Sequence, residues 1–199
     1  MVTMNEDNLN TGIFIFNDVQ TMDFAAPLEV FVQASFNVFT VAKTLESVIT
    51  SSGQKLLPSY EFTNCPEIEI LVIPGGRDFD QASDPAETEW LQKTSKTSKY
   101  ILTVCCGSIE YAKAGLLGSQ AATTHHGYLD DLKKFEPKAE VISGRKWVDS
   151  GKLITSGGLC SGIDAALHLV SKINGMTEAE RIAKWMEYPW AKDGKANYK

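Results

Sequence analysis

The fold of this chain is decided by the stretch Tyr100-Ile101-Leu102-Thr103-Val104-Cys105-Cys106-Gly107-Ser108-Ile109-Glu110-Tyr111-Ala112. Its first five residues are mostly apolar strand formers, whereas residues 109–117 favour a helix, so the pattern predicts a buried strand, an abrupt turn and a helix. This geometry is a nucleophile elbow, in which the turn lifts one side chain off the end of the sheet. We call residues 105–108 the elbow; Cys105 is predicted at its apex.

The predicted place of Cys105 has a chemical consequence. The free N–H groups of the following helix point back at the thiol, and the positive end of the helix dipole is expected to lower its pKa from roughly 8.5 toward 7 or below. A thiolate in such a place is a candidate nucleophile. The alternative is that Cys105 and Cys106 only fill the core, because free cysteine is among the most buried residue types.

Length and composition indicate one globular domain. The chain has 199 residues, 43% of them hydrophobic and 22% charged, which supports a single domain with a full core. We expect a flexible N-terminus over 1–10 and one domain over 11–199. The net charge of −6 argues against a nucleic-acid partner. Without a signal peptide or a membrane-length apolar run, we expect a cytoplasmic protein that does not bind membranes.

The four cysteines, at 65, 105, 106 and 160, show no paired C-x-x-C spacing. The sequence therefore predicts no metal site and thiols that stay reduced.

Predicted strands and helices alternate along the chain. The strands are predicted over 11–16, 36–42, 68–73, 100–104 and 121–124, with hairpins over 47–62 and 141–154. The helices are predicted from a first turn at Pro27, over 84–96 with Asp84 as cap, and over 109–117, 128–135, 161–173 and 177–186. This alternation predicts an α/β fold, a flavodoxin-like or Rossmann-like three-layer sandwich with a mostly parallel sheet.

In such sheets ligands bind outside the carboxyl ends of the strands, where the loops 17–23, 74–78 and 105–108 stand out. Asp23 lies between Met22 and Phe24. Apolar surroundings raise the pKa of a carboxyl group, which can then exchange a proton with a nearby thiol. The alternative is that Asp23 caps the following helix; Asp18 and Glu29 are rival acids.

The second loop offers backbone donors. Gly75 and Gly76 can aim N–H groups at a developing negative charge, or can simply end the strand in a turn. Arg77 can bind an anionic substrate or face water. At the end of another predicted strand, His125 is a candidate general base, with an exposed or core-bonded imidazole as the alternative.

Short motifs over nearly the whole chain resemble those of the PfpI-type superfamily, which includes the parkinsonism-associated deglycase and has a class I glutamine amidotransferase-like fold. The likeness is greatest to the isonitrile (isocyanide) hydratases. The matching motifs are Met22-Asp23-Phe24-Ala25-Ala26-Pro27, Ile73-Pro74-Gly75-Gly76, Val104-Cys105-Cys106-Gly107-Ser108, Ala114-Gly115-Leu116-Leu117, Ala122-Thr123-Thr124-His125, Gly157-Gly158, Gly162-Ile163-Asp164 and Glu187-Tyr188-Pro189.

The resemblance implies that Cys105 is the nucleophile, that Asp23 is its partner carboxyl, and that the protein is a homodimer. It also implies a substrate or oxyanion pocket formed by Gly75, Gly76, Cys106 and Gly107. Cys106 stands where the hydratase pattern has threonine and where protease-like members have histidine. The Cys-His arrangement of those peptidases is therefore missing from the sequence.

These observations predict a cysteine-dependent hydratase or lyase acting on a small electrophile, most concretely an isonitrile hydratase that needs no cofactor. One alternative is glyoxalase or deglycase chemistry on reactive carbonyls, again through Cys105. The other is a non-enzymatic, redox-responsive or chaperone-like dimer in which Cys105 is oxidised.

Overall fold

The computed structural model describes residues 8–76 and 82–196, which form strands and helices in alternation. The strands are β1 (Asn10–Phe14), β2 (Asn37–Ala42), β3 (Val48–Ile49), β4 (Lys55–Leu56), β5 (Tyr60–Glu61), β6 (Ile70–Ile73), β7 (Tyr100–Val104), β8 (Ala121–Ala122), β9 (Glu140–Val141), β10 (Trp147–Ser150) and β11 (Leu153–Ser156). The helices are α1 (Thr21–Gln33), α2 (Pro85–Thr97), α3 (Gly107–Lys113), α4 (Leu129–Phe135), α5 (Ser161–Asn174) and α6 (Met176–Trp185), with a 3₁₀ turn at His126–Tyr128.

A seven-stranded sheet of order β10-β11-β7-β6-β1-β2-β5 forms the centre of the described chain. All its pairs are parallel except the hairpin of β10 and β11. Every residue of β6, and all of β7 after Tyr100, is buried although successive side chains point to opposite faces. Both faces of the sheet are therefore covered: α1, α5 and α6 pack together, as do α3 and α4. This arrangement confirms the predicted three-layer α/β sandwich.

The sheet order explains how the candidate loops meet. β6 lies between β7 and β1, and β11 lies on the other side of β7. The loops that follow β1, β6, β7 and β11 therefore open at one edge of the sheet, because parallel strands all end on the same side. The structure thus brings the three loops singled out in the sequence together and adds a fourth, the loop after β11.

The structure corrects the predicted place of Pro27. Helix α1 begins at Thr21, so Pro27 lies in its interior rather than in its first turn. A proline at this position cannot donate the hydrogen bond that the Asp23 carbonyl would otherwise receive. The early start also places Asp23 inside the helix, not in the loop before it.

Other predicted boundaries hold in part. Asp84 caps α2 as predicted, its side chain accepting the N–H groups of Ala86 and Glu87, with Pro85 as the first helical residue. The hairpin predicted over 141–154 is only the pair β10–β11, because β9 pairs with β8 in a separate small sheet. Within 47–62, β3 and β4 form the hairpin while β5 joins the main sheet beside β2.

Residues 1–7 of the predicted flexible N-terminus lie outside the described residues, and β1 begins at Asn10. Among residues 8–76 and 82–196, no helix combines the length and the apolar character needed to cross a membrane.

Candidate active site

The elbow has the predicted form and a strained apex. Cys105 follows β7 directly and has a backbone φ of +57°, in the left-handed region that a non-glycine residue adopts only at a cost of about 1–3 kcal/mol. Its N–H donates to the Gly157 carbonyl at 3.1 Å, and its own carbonyl accepts from Thr124 Oγ1 at 2.8 Å and from Ser108 Oγ at 3.2 Å. Contacts from three segments thus hold the strained residue in place.

Gly107 lets the elbow close against the neighbouring strand. A Cβ atom on Gly107 would lie 2.0 Å from the Ile73 carbonyl oxygen at the end of β6. No side chain fits at that distance, so only glycine allows α3 to start immediately after the thiols. Gly107 thereby serves the turn, and its place in a substrate or oxyanion pocket stays a prediction.

Asp23 is fully buried and does not cap α1. It is the third residue of the helix, and its Oδ1 accepts the N–H of Leu159 at 2.9 Å, from the loop after β11. Its Oδ2 makes no hydrogen bond of ordinary geometry within the described chain. A buried carboxylate with an unsatisfied oxygen is costly, so the group favours its protonated form.

The pKa of Asp23 follows from this environment. Burial raises the pKa to about 6, and the Leu159 N–H, the Cys105 thiol and the Gly75 N–H offset part of the rise. Near neutral pH the carboxyl group can therefore both hold and release a proton. The contact with Cys105 places that proton beside the apex of the elbow.

The two adjacent thiols affect each other's ionisation. Cys106 Sγ accepts the Gly76 N–H at 3.4 Å. The interaction with the Cys106 side chain raises the pKa of Cys105, with burial and the charge of Asp23 acting in the same direction. It lowers the pKa of Cys106. The prediction that the helix dipole lowers the pKa of Cys105 is thus wrong: contact with Cys106 and burial outweigh the dipole of the seven-residue α3.

The loop after β6 packs tightly on both acidic groups. A Cβ atom on Gly75 would lie 2.7 Å from Cys106 Sγ and 3.0 Å from Asp23 Oδ2. Gly76 has a φ of +151°, and a Cβ there would lie 2.2 Å from the Asp18 carbonyl oxygen. Only glycine at these two positions lets the loop after β6 approach the elbow and Asp23 so closely. The Gly76 N–H donates to the Cys106 sulfur and could stabilise negative charge there. Arg77 lies outside the described residues.

His125 lies on the other side of the elbow as a neutral hydrogen-bond donor. Gly158 lies between the imidazole ring of His125 and the thiol of Cys105. A Cβ atom added to Gly158 would lie 2.5 Å from His125 Cδ2 and 3.2 Å from Cys105 Sγ. His125 Nδ1 accepts the Gly127 N–H at 3.2 Å, which leaves the ring proton on Nε2. Burial and His126 lower the pKa of His125. The ring therefore lacks the free nitrogen that a general base at Cys105 would use.

A cavity of about 300 Å³ lies beside the elbow, and its lining comprises His125, His126, Lys146, Gly158, Leu159, Cys160 and Ser161. Lys146 Nζ pairs with the fully buried Asp164 at 2.8 Å, so its charge is compensated. A small uncharged molecule suits this space better than an anion. Cys160 is exposed here, directly before α5.

A larger cavity, about 680 Å³, opens beside Gly76 near the ends of β1 and β2. Neither cavity has Cys105, Cys106 or Asp23 in its described lining, and Lys43 and Asp84 pair at 2.6 Å on the wall of the larger one. We place the candidate site at the smaller cavity because its lining includes His125 and Gly158, and a Cβ on Gly158 would lie 3.2 Å from Cys105 Sγ. Within the described ranges, no group of three or more His, Cys, Asp or Glu side chains is arranged to hold a metal ion.

The loop after β11 was not predicted to contribute to the site. Leu159 donates to Asp23, and Gly158 separates Cys105 from His125. The available signal was the Gly157-Gly158 pair, which lies just beyond the hairpin predicted over 141–154, as Gly75 and Gly76 lie just beyond another strand.

Together the sandwich and the elbow define a class: three-layer α/β proteins with a cysteine on a strained strand-to-helix turn at the carboxyl edge of the sheet. The chain belongs to the DJ-1/PfpI family, whose profile matches residues 11–172. An isonitrile hydratase from Pseudomonas putida is 32% identical over 183 residues, which cover 90% of this chain and 78% of that protein.

Two solved structures show how closely the fold is shared. A ThiJ/PfpI family protein from Pseudomonas syringae superposes with a TM-score of 0.85 at 28% identity, covering 95% of this chain and 82% of that one. Drosophila melanogaster DJ-1beta superposes with a TM-score of 0.81 at 18% identity, covering 92% of this chain and all of that one. The second likeness concerns the fold alone.

Proposed function

We propose that this chain is a cysteine-dependent enzyme that hydrates a small uncharged electrophile, most concretely an isonitrile, to an N-substituted formamide. The observation that carries the proposal is Asp23: a fully buried carboxyl group with one unpartnered oxygen and a pKa of about 6, in contact with the Cys105 thiol. A nucleophile and a proton donor side by side are what addition to an isonitrile carbon requires.

The reaction has two steps. The Cys105 sulfur bonds to the terminal carbon of R–N≡C, and Asp23 gives its proton to that carbon, which yields a thioimidate, R–N=CH–S–Cys. Water then adds to the same carbon, the C–S bond breaks, and R–NH–CHO leaves. The thiol and Asp23 regain their starting protonation, so the sum is isonitrile plus water giving formamide. This sequence calls for no metal or organic cofactor.

Two further observations support this assignment. The isonitrile hydratase of Pseudomonas putida is similar over most of both chains. The cavity beside the elbow is small, and its one lysine is paired, which favours a neutral substrate over a charged one. We further propose that the protein is a homodimer, because Val32 and Trp185 on α1 and α6 are 47% and 69% exposed.

The test compares three reactions on the same preparation. The protein is incubated with an alkyl isonitrile, with methylglyoxal or with peroxide, and formamide, lactate or mass gain is followed. We expect formamide from the wild type and from Cys65→Ser, a matched control far from the elbow, and none from Cys105→Ser. Lactate without formamide would favour carbonyl chemistry, and oxidation without turnover would favour the redox-responsive dimer; either would refute isonitrile hydration.

A further inference from the structure

A lysine is anchored on the wall of the cavity beside the elbow. The side chain of Lys146 is partly buried, and its Nζ donates to Asp164 Oδ2 at 2.8 Å. Asp164 is fully buried in α5, and the C-terminal segment holds it as well, through the Tyr188 hydroxyl at 2.7 Å and the Ala191 N–H at 2.8 Å. The sequence motifs that contain Asp164 and Tyr188 thus fix the position of an ammonium group at the cavity.

This ammonium group has hydrogen-bond donors to spare. A lysine carries three N–H donors, and within the described chain the bond to Asp164 is the only one that Lys146 Nζ makes. His125 adds another donor to the same wall, because its Nδ1 accepts the Gly127 N–H and leaves the ring proton on Nε2. The described lining of the cavity includes no carboxyl side chain that would accept from these donors.

The sheet places Lys146 on the same rung as the nucleophile. The Gly157 N–H donates to the Lys146 carbonyl at 2.8 Å, and the Gly157 carbonyl accepts the Cys105 N–H at 3.1 Å. Because neighbouring strands lie about 4.8 Å apart, the backbones of Lys146 and Cys105 are about 10 Å apart across this rung. Gly158, which also lines the cavity, leads up to the thiol. A molecule that reacts at Cys105 can therefore reach Lys146 through a tail of a few atoms.

We propose that Lys146 determines specificity: the cavity is a subsite for the tail of the electrophile and selects neutral tails that carry a hydrogen-bond acceptor, such as an ether or carbonyl oxygen. Neutral tails are favoured over anionic ones because Asp164 already balances the charge of Lys146. An acceptor is favoured over a plain alkyl chain, because an alkyl chain would displace water from the spare N–H donors without replacing its hydrogen bonds. The inference deepens the proposed function and rests on it for the reactive group of the substrate.

Two isonitriles of equal length test the subsite. In 2-methoxyethyl isonitrile an oxygen replaces one methylene of n-butyl isonitrile. We expect wild type to favour the methoxy compound about tenfold or more in kcat/KM, because only its oxygen can accept from a charged donor. The difference should lie mainly in KM, since the tail does not take part in the reaction. Lys146→Met is expected to abolish the preference, and Lys146→Arg to restore most of it.

Lys172→Met is the matched control. Lys172 also pairs with an aspartate, Asp149 at 2.9 Å, but it is not part of the described lining of the cavity. This variant should keep the preference of wild type. A general loss of stability or activity cancels from the comparison, because each variant is measured on both tails.

The same two tails can be compared without any hydration, by alkylation with 1-iodobutane and with 2-methoxyethyl iodide. Peptide mapping gives the rate at Cys105, and the rate at Cys65 in the same sample corrects for the intrinsic reactivity of each iodide. We expect a corrected preference for the methoxy tail of about tenfold in wild type and none in Lys146→Met.

Equal corrected rates for the two tails in wild type would overturn the inference, as would a preference that survives in folded Lys146→Met. If circular dichroism shows that Lys146→Met is unfolded, Lys146→Gln takes its place, because its amide can still donate to Asp164 but carries no charge; an unchanged preference in that variant would also overturn the inference. Selective alkylation without turnover of either isonitrile would reject isonitrile hydration and leave the subsite in place. Turnover of both isonitriles with equal kcat/KM would reject the subsite and leave hydration in place.

Discussion

Replacing Asp23 with asparagine keeps the size of the side chain and removes its titrating proton. The oxygen of asparagine can still accept the Leu159 N–H, so the link between α1 and the loop after β11 is preserved. What changes is that the residue no longer ionises inside the protein. The substitution therefore removes both the electrostatic cost of the carboxyl and the proton donor, and stability and turnover report on these two effects separately.

The size of the effect follows from the pKa of Asp23, which burial raises from 3.8 to about 6. Below pH 3.8 the folded and unfolded chains both hold the proton, so stability does not change there. Between pH 3.8 and 6 the unfolded chain ionises while the folded chain keeps its proton, so stability falls over this range and levels off above pH 6, where both are ionised. The total cost is about 3 kcal/mol, of which about 1.4 kcal/mol accrues between pH 5 and pH 8.

Denaturant unfolding at pH 5 and pH 8 measures this cost. The free energy of unfolding of Asp23→Asn minus that of wild type is expected to be about 1.4 kcal/mol larger at pH 8 than at pH 5. We also expect the variant to turn over isonitrile about 100-fold or more slowly than wild type. The matched control is Asp18→Asn, at an exposed residue with a φ of +65° that asparagine tolerates. A stability difference that is flat with pH would refute the raised pKa, and full turnover in Asp23→Asn would refute the role as acid.

Three further predictions follow from the packing and the surface. Gly158→Ala puts a methyl group 2.5 Å from His125 Cδ2 and 3.2 Å from Cys105 Sγ. We therefore expect iodoacetamide to alkylate Cys105 about tenfold or more slowly in this variant. An unchanged rate would contradict the placing of the cavity beside the thiol. Gly75→Ala and Gly12→Ala each force a Cβ to within 3 Å of a neighbour, and each is expected to cost about 1–3 kcal/mol in unfolding experiments. Only Gly75→Ala should also abolish turnover; equal activity in the two folded variants would count against the site. Light scattering at micromolar concentration is expected to give twice 21.9 kDa, and a monomer would remove the dimer proposal.

The elbow could be predicted from the sequence because its signals are local. The apolar run of β7, the small residues after the thiols and the helix formers beyond them all lie within one short stretch. Asp23 could be singled out for a similar reason, since Met22 and Phe24 flank it in sequence. The burial itself is not local, because Leu159 and Gly75 from two distant loops cover Asp23 while Met22 is 39% exposed.

The partners of these residues could not be predicted, because they depend on strand order. Leu159 reaches Asp23 only because β11 lies next to β7 in the sheet, and the sequence of neither strand records that adjacency. The direction of the Cys105 pKa was mistaken for a related reason. A helix dipole can be inferred from sequence, but the interaction with Cys106 depends on where two side chains point.

The bond from Leu159 to Asp23 joins residues 136 positions apart. During synthesis α1 and the elbow leave the ribosome long before the loop after β11, so the carboxyl group and the thiols must wait for their last partner. Contacts of such long range also form late when a chain refolds from denaturant. The nascent chain therefore spends a period with both thiols unprotected. We expect alkylating agents or oxidants to damage this protein more during folding than after it.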